Sequence, residues 1–255
     1  MKRINIQVLL LELTRKCNLS CMHCFRGNSE DKYMSLDLID KIFKNSARIN
    51  TLLLTGGEPL LALEQLERIR DNIVKDRTNV GEVIIVTNGT VLSKEIISIL
   101  YDISTRADLK IKVSNDQFHE LELIRNNLKE KKQNNIELLN VLFDVELEHP
   151  TNNVYIIDRV GRAKNLTQKD LDYISSIDKN NVRYVFSTDK SLEIFRNNYP
   201  VPSFINEDVV EGSLNIDVFG NITPTYYSFN EEDDNRYSNI RGNKTLKKAI
   251  DNIKI

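Results

Sequence analysis

Cysteine is scarce in this 255-residue chain, and its distribution is uneven. All three cysteines fall within one stretch, CNLSCMHC, at positions 17–24, and none follows Cys24. Chemistry that needs a thiol anywhere else is therefore excluded. Long apolar runs are also missing. The opening MKRINIQVLLLELTRKCN has a basic start, but its apolar run is too short for a signal-peptide core, Glu12 interrupts it, and no small-residue cleavage site follows. Nothing elsewhere reaches the apolar length of a membrane span. Charge of one sign is lacking too. Thirty-five Lys and Arg nearly balance 37 Asp and Glu, for a net charge of −2. That balance gives no broad field for nucleic acid or an anionic membrane. Clustered thiols without a targeting segment point to the cytoplasm. No long-period repeat and no low-complexity linker is present.

What is present is alternation. VLLLELT (8–14) is a near-continuous apolar strand. In 35–49, apolar residues at Leu38, Ile39, Ile42, Phe43 and Ile49 follow helical spacing behind Ser35 as N-cap. Strands are expected at 51–59, 82–89, 108–116, 136–148 and 153–162, and helices at 63–75, 93–103, 118–132 and 167–177, the last capped by Thr167. Repeated strand–helix units imply parallel strands joined by right-handed crossovers. The expected fold is α/β, a partial (β/α)6 TIM-like barrel. The segment 213–229 alternates apolar and polar residues around Gly220-Asn221 and reads as a β-hairpin, followed by an acidic loop (230–235) and a short helix (245–253). The division is placed at 1–190 for the barrel and 191–255 for a small hairpin and helix extension.

In such barrels active groups lie at the C-terminal strand ends. CNLSCMHC follows the first strand, GGEP (56–59) ends the second, TNG (87–89) the third and SND (114–116) the fourth. Cys17, Cys21 and Cys24 have the spacing C-x3-C-x2-C. Structural zinc sites pair two C-x2-C knuckles or add histidines, so a zinc reading needs a distant His119 or His149. Three thiolates in one loop can instead hold three corners of a cubane iron–sulfur cluster, leaving one iron open, where fully ligated clusters use four cysteines.

This triplet, with GGEP, VTNG, VSND and GRA in order, resembles the radical S-adenosylmethionine (SAM) superfamily. The resemblance implies one [4Fe-4S] cluster on Cys17, Cys21 and Cys24, with SAM chelated at the open iron and cleaved by one electron to a 5′-deoxyadenosyl radical. It implies SAM contacts from His23, where the family usually has an aromatic residue, from Gly56, Gly57, Glu58 and Pro59, and from Asn88. Ser114 and Asp116 would meet the ribose from one strand face, or Asp116 would cap the next helix. Arg162, or else Arg159, would pair with the SAM carboxylate. Asp144, Glu146 and Glu148 share one face of FDVELE and either line the barrel or stay solvated.

The tail resembles the SPASM or twitch extension of peptide-modifying members, in which a Pro-Cys and further cysteines hold auxiliary clusters. Here Pro224-Thr225 stands at that place, so an auxiliary cluster with cysteine ligands is excluded. Hydrogen return from a cysteine is excluded too, leaving a tyrosine such as Tyr226 or Tyr227 to substitute. The expected substrate is a peptide or protein side chain. Alternatives are a nucleotide, sugar or other small metabolite, and a non-catalytic metal-binding scaffold. A flavodoxin- or ferredoxin-type electron donor is implied. No nucleic-acid or membrane partner is expected, and no peptide-binding module is recognised before the first strand.

Overall fold

The computed structural model describes residues 3–75, 77–148, 153–188, 203–206, 208–223, 238–240 and 245–251. Tyr226, Tyr227, Pro224, Thr225, His149 and the acidic loop lie outside them.

Five strands form a parallel run, β1 (Ile4–Thr14), β2 (Ser46–Gly56), β3 (Asn79–Thr87), β4 (Asp108–Ser114) and β5 (Asp144–Glu148), paired in that order. Helices α1 (Leu36–Asn45), α2 (Leu63–Val74) and α3 (Lys94–Ser104) connect the first four. Alternation fixes which side each residue serves. Leu9, Leu11, Leu52, Leu54, Val83, Ile85, Leu109 and Ile111 are buried in one core with Leu38, Ile42, Leu66 and Ile99 of the helices. The intervening residues, among them Glu12, Thr55, Glu82, Lys110, Lys112 and Glu146, therefore occupy the opposite, concave face.

The sheet is open. On the far side of β1 lies β9 (Val209–Ile216), parallel to it from Asn5↔Val209 to Leu11↔Ile216. β8 (Ser203–Asn206) and β10 (Asn221–Thr223) pair antiparallel with β9, and β11 (Ser238–Asn239) with β10. The expected hairpin is thus present, with its turn at 217–220, and it extends the barrel sheet. The closing helix, α7 (Leu246–Asp251), packs into the main core through Leu246, Ala249 and Ile250.

Three boundaries differ from the sequence reading. α1 ends at Asn45, and Ile49 belongs to β2, because β2 runs beside the full length of β1 from Ser46 to Gly56. The helix expected at 118–132 is two, α4 (Gln117–Arg125) and α5 (Lys129–Leu142), broken where Asn127 takes φ 55°. Residues 136–142 are helical rather than extended. An apolar run such as IELLNVL does not by itself distinguish the two periods, and Leu139 is buried with Ile136, three residues earlier, packed against the same core. The sixth strand, β6 (Val154–Ile157), does not join β5 among the described residues. It pairs in parallel with β7 (Arg183–Phe186) and, with α6 (Gln168–Ile177), forms a second core around Phe118, Leu171 and Tyr184. α6 starts at a full capping box, Thr167 with Asp170.

Candidate active site at the strand ends

The cysteine loop leaves β1 and is fastened from several sides. The Cys17 amide donates to Ser29 Oγ (2.9 Å), and the Cys24 amide to the Cys21 carbonyl (3.1 Å). The Ser20 amide donates to Glu122 of α4 (3.2 Å). All three thiols are free, and Cys17 lies in the electrostatic reach of both others. The Leu19 amide (3.4 Å) and Asn88 Nδ2 (4.0 Å) point N–H groups at the Cys17 sulfur. Burial pushes the Cys17 thiol up to about 12, with the nearby Glu58 charge adding to the shift.

The GGEP turn packs its backbone directly onto the chain entering this loop. The Gly57 amide donates to Thr14 O (2.7 Å) and the Glu58 amide to Lys16 O (2.8 Å). A Cβ on Gly57 would overlap the Lys16 carbonyl, which is why glycine stands there. Pro59 opens a short 3-10 turn, Pro59–Leu61. Glu58 is wholly buried. Its Oε1 accepts from the Leu60 amide (3.0 Å) and Thr87 Oγ1 (2.8 Å), and its Oε2 from the Asn88 amide (2.8 Å). A carboxylate has about four acceptor sites, and among the described residues these three donors fill three of them. Burial raises this carboxyl to about 6 against those three donors.

At the third strand end, Asn88 Oδ1 accepts from the Thr90 amide (2.9 Å), while Nδ2 donates to Asn18 Oδ1 (3.0 Å). Asn18 in turn donates to Thr90 Oγ1 (2.7 Å), closing a ring that ties the cysteine loop to β3. At the fourth, Asp116 lies beyond the end of β4 and caps α4, accepting from the Phe118 (3.0 Å) and His119 (3.1 Å) amides. Its other oxygen meets His119 Nδ1 (2.5 Å) and faces His23 Nε2 (3.6 Å). Burial opposes the Asp116 charge, but the two imidazoles outweigh it and hold the carboxyl well below its usual range. His23 stacks on Phe118, centroids 4.5 Å apart, and its buried Nδ1 has no hydrogen-bond partner among the described residues. Ser114 offers its carbonyl to Lys132 Nζ (2.7 Å), a lysine buried on α5.

The two arginines expected at the SAM carboxylate take different partners within the protein. Arg159 lies over the Phe186 ring (3.9 Å). Arg162 turns to the cysteine loop, its amide donating to Cys24 O (2.9 Å) and its Nε to Cys21 O (2.9 Å). Sequence reasoning missed Asn18, Thr90, Lys132 and the Glu12–Arg26 pair. Glu12 is fully buried, ion-paired with Arg26, and accepts from the Val218 amide (3.2 Å). Its signal was visible: one acid inside an otherwise apolar strand.

A partial parallel barrel with three free thiols on the loop after its first strand, and polar groups gathered at the next three strand ends, defines an enzyme that handles metal and a small cofactor. A family model described as the radical SAM superfamily matches residues 11–158, more than half of the chain, and the chain belongs to that superfamily. Over 97 residues it is 38% identical to a probable GTP 3′,8-cyclase of Methanococcus maripaludis, a match covering 35% of this chain and 30% of that protein. It is 41% identical over 93 residues to a GTP 3′,8-cyclase of a Synechococcus species, covering 34% of this chain and 26% of that protein. The matches thus span about a third or less of those curated relatives' lengths. Two solved structures share the fold. One is native anSMEcpe with bound AdoMet and Cp18Cys peptide, at 16% identity and TM-score 0.53, covering 98% of this chain and 84% of that one. The other is Streptococcus suis SuiB bound to precursor peptide SuiA, at 13% identity and TM-score 0.54, covering 96% and 64%.

The family's cofactors are a [4Fe-4S] cluster and SAM. The residues present fit them. The thiols are unbridged, Cys21 and Cys24 both act electrostatically on Cys17, N–H donors point at the Cys17 sulfur, and the buried His23 Nδ1 has no hydrogen-bond partner among the described residues.

Proposed function

We propose that this radical SAM enzyme removes hydrogen from a peptide or protein side chain. Cys17, Cys21 and Cys24 are the cluster ligands. Gly56, Gly57, Glu58, Pro59, Asn88, Ser114, Asp116 and His23 form the SAM side of the site, with Glu58 taking the ammonium at its fourth acceptor site. When bound, cluster and SAM together supply a 5′-deoxyadenosyl radical. A flavodoxin- or ferredoxin-type protein supplies the electron. The barrel, 1–190, carries the cofactors, and the extension, 191–255, serves the substrate.

The observation that carries the substrate class is the charge of the concave face. Three bases on that face are matched to acids: Lys110 with Glu82 (2.9 Å), Lys112 with Glu146 (3.5 Å), and the incoming Arg26 with Glu12. Asp144 and Glu148 share the face of Glu146 on β5. A nucleoside triphosphate needs convergent, unmatched cations. An acidic, internally paired face suits a neutral or basic peptide. The second reading, a nucleotide substrate, is favoured by the names of the curated relatives.

The test is anaerobic reconstitution with iron and sulfide, reduction with dithionite, and measurement of 5′-deoxyadenosine. A deuterated peptide digest is expected to place deuterium in the 5′-deoxyadenosine. GTP that raises the yield and is itself consumed decides for the nucleotide. A colourless protein that leaves SAM whole overturns both.

A further inference from the structure

Two carbonyls of the cysteine loop, those of Cys21 and Cys24, point at one residue 141 positions downstream of Cys21, Arg162. The Cys24 amide donates in turn to the Cys21 carbonyl (3.1 Å), so the loop between the second and third thiols is closed on itself and clasped by Arg162. Gly161 makes the approach possible. Its φ is 55°, and a Cβ there would overlap the Phe25 carbonyl and lie 2.6 Å from the Cys24 carbonyl. Behind the clasp, Ala163 and Leu166 are buried in the second core with Leu171 and Ile174. The arginine therefore approaches from a packed unit rather than from a free surface loop.

We propose that Arg162 is a positioning residue for the cluster: it fixes the geometry of the Cys21–Cys24 loop and stations a permanent positive charge beside it. This rests on the reading of the three cysteines as cluster ligands. Two physical consequences follow. Holding both carbonyls restricts the relative placement of the two thiols, which a four-iron cube requires. A guanidinium stays charged at every working pH, and cluster potential responds to local charge and to hydrogen bonding near the sulfurs. A positive charge there favours the cluster with the added electron, which is the state the reaction needs.

The experiment compares reconstituted wild type with Arg162→Gln, Arg162→Lys and Gly161→Ala. Thermal unfolding of each cluster-free protein first establishes that the variant folds. Iron and sulfide content, the cluster's midpoint potential followed by electron paramagnetic resonance, and SAM affinity are then measured. Arg162→Gln is expected to lower the midpoint potential and to release iron to a chelator several-fold faster. Arg162→Lys should keep most of the potential while releasing iron faster, because charge survives and the fixed Nε contact does not. Gly161→Ala should release iron faster with the arginine intact. An unchanged midpoint potential in Arg162→Gln overturns the proposal, and if SAM affinity falls tenfold in that same variant the side chain serves the SAM carboxylate instead. Wild type that takes up no iron would overturn the cluster reading itself, a result distinct from either.

Discussion

The Glu58 carboxylate, on the turn after β2, accepts the backbone N–H of Asn88, at the end of β3, over 2.8 Å. One buried side chain thereby sets the spacing of two adjacent strand ends and presents both to the cysteine loop. Glu58→Ala would strand the Asn88 amide, the Leu60 amide and the Thr87 hydroxyl in the interior. A loss of roughly 3 kcal/mol in unfolding free energy is expected, from about 1 kcal/mol per unmet donor. Chemical denaturation of the cluster-free protein measures it.

The same group predicts a pH dependence. Its carboxyl is raised from 4.5 to about 6, with burial as the chief cause. The folded state then binds the proton more tightly than the unfolded state, so stability falls as pH rises through that window. The cost is fully present above the folded value and amounts to roughly 2 kcal/mol. Glu58→Gln removes this term. The stability difference between wild type and variant should shift against wild type by that amount from about pH 3 to about pH 7, and a difference flat with pH would contradict the assignment.

Cys17 in the cluster-free protein should resist alkylation. Its thiol is pushed up to about 12, and the thiolate is the reactive form. Iodoacetamide at pH 8 is expected to label it at least tenfold more slowly in the folded protein than in denaturant, read by peptide mass spectrometry. Cys21→Ala should abolish the brown colour and SAM cleavage altogether.

Thr167→Ala tests stability apart from cofactors. It removes the capping box of α6, at a cost of about 1 kcal/mol. Iron content and SAM affinity should stay at wild-type levels.

Arg26→Met should leave the buried Glu12 with only the more distant Arg15 guanidinium (3.7 Å) as an ion-pair partner. A destabilisation of roughly 2–3 kcal/mol is expected, less than a fully uncompensated interior charge would cost because Arg15 remains, and Glu12→Gln in the same chain should restore part of it. Double-mutant denaturation curves measure the coupling.

The sequence carried the parallel barrel clearly, because strands buried by helices read as apolar runs and the helices showed their periodicity. The strand-end motifs were legible for the same reason: GGEP and TNG mark where a regular element stops. What could not be read was pairing across distance. Nothing in CNLSCMHC says that Asn18 bonds Thr90, or that Arg162 reaches back to Cys21. Such contacts depend on three-dimensional closure rather than on local period. The break at Asn127 was hidden because asparagine tolerates a left-handed turn without the glycine that advertises one. Asp116 had two readings on sequence grounds, and its place as the cap of α4 follows from β4 ending two residues earlier.

Because β9 lies parallel beside β1, the strand that launches the cysteine loop borrows a neighbour from residues 209–216. During synthesis that neighbour emerges late. Until it does, β1 has a bare edge, and whatever machinery delivers iron meets a cradle not yet fully braced. Assembly of the metallocentre on a ribosome-bound fragment should accordingly fail where the finished polypeptide succeeds.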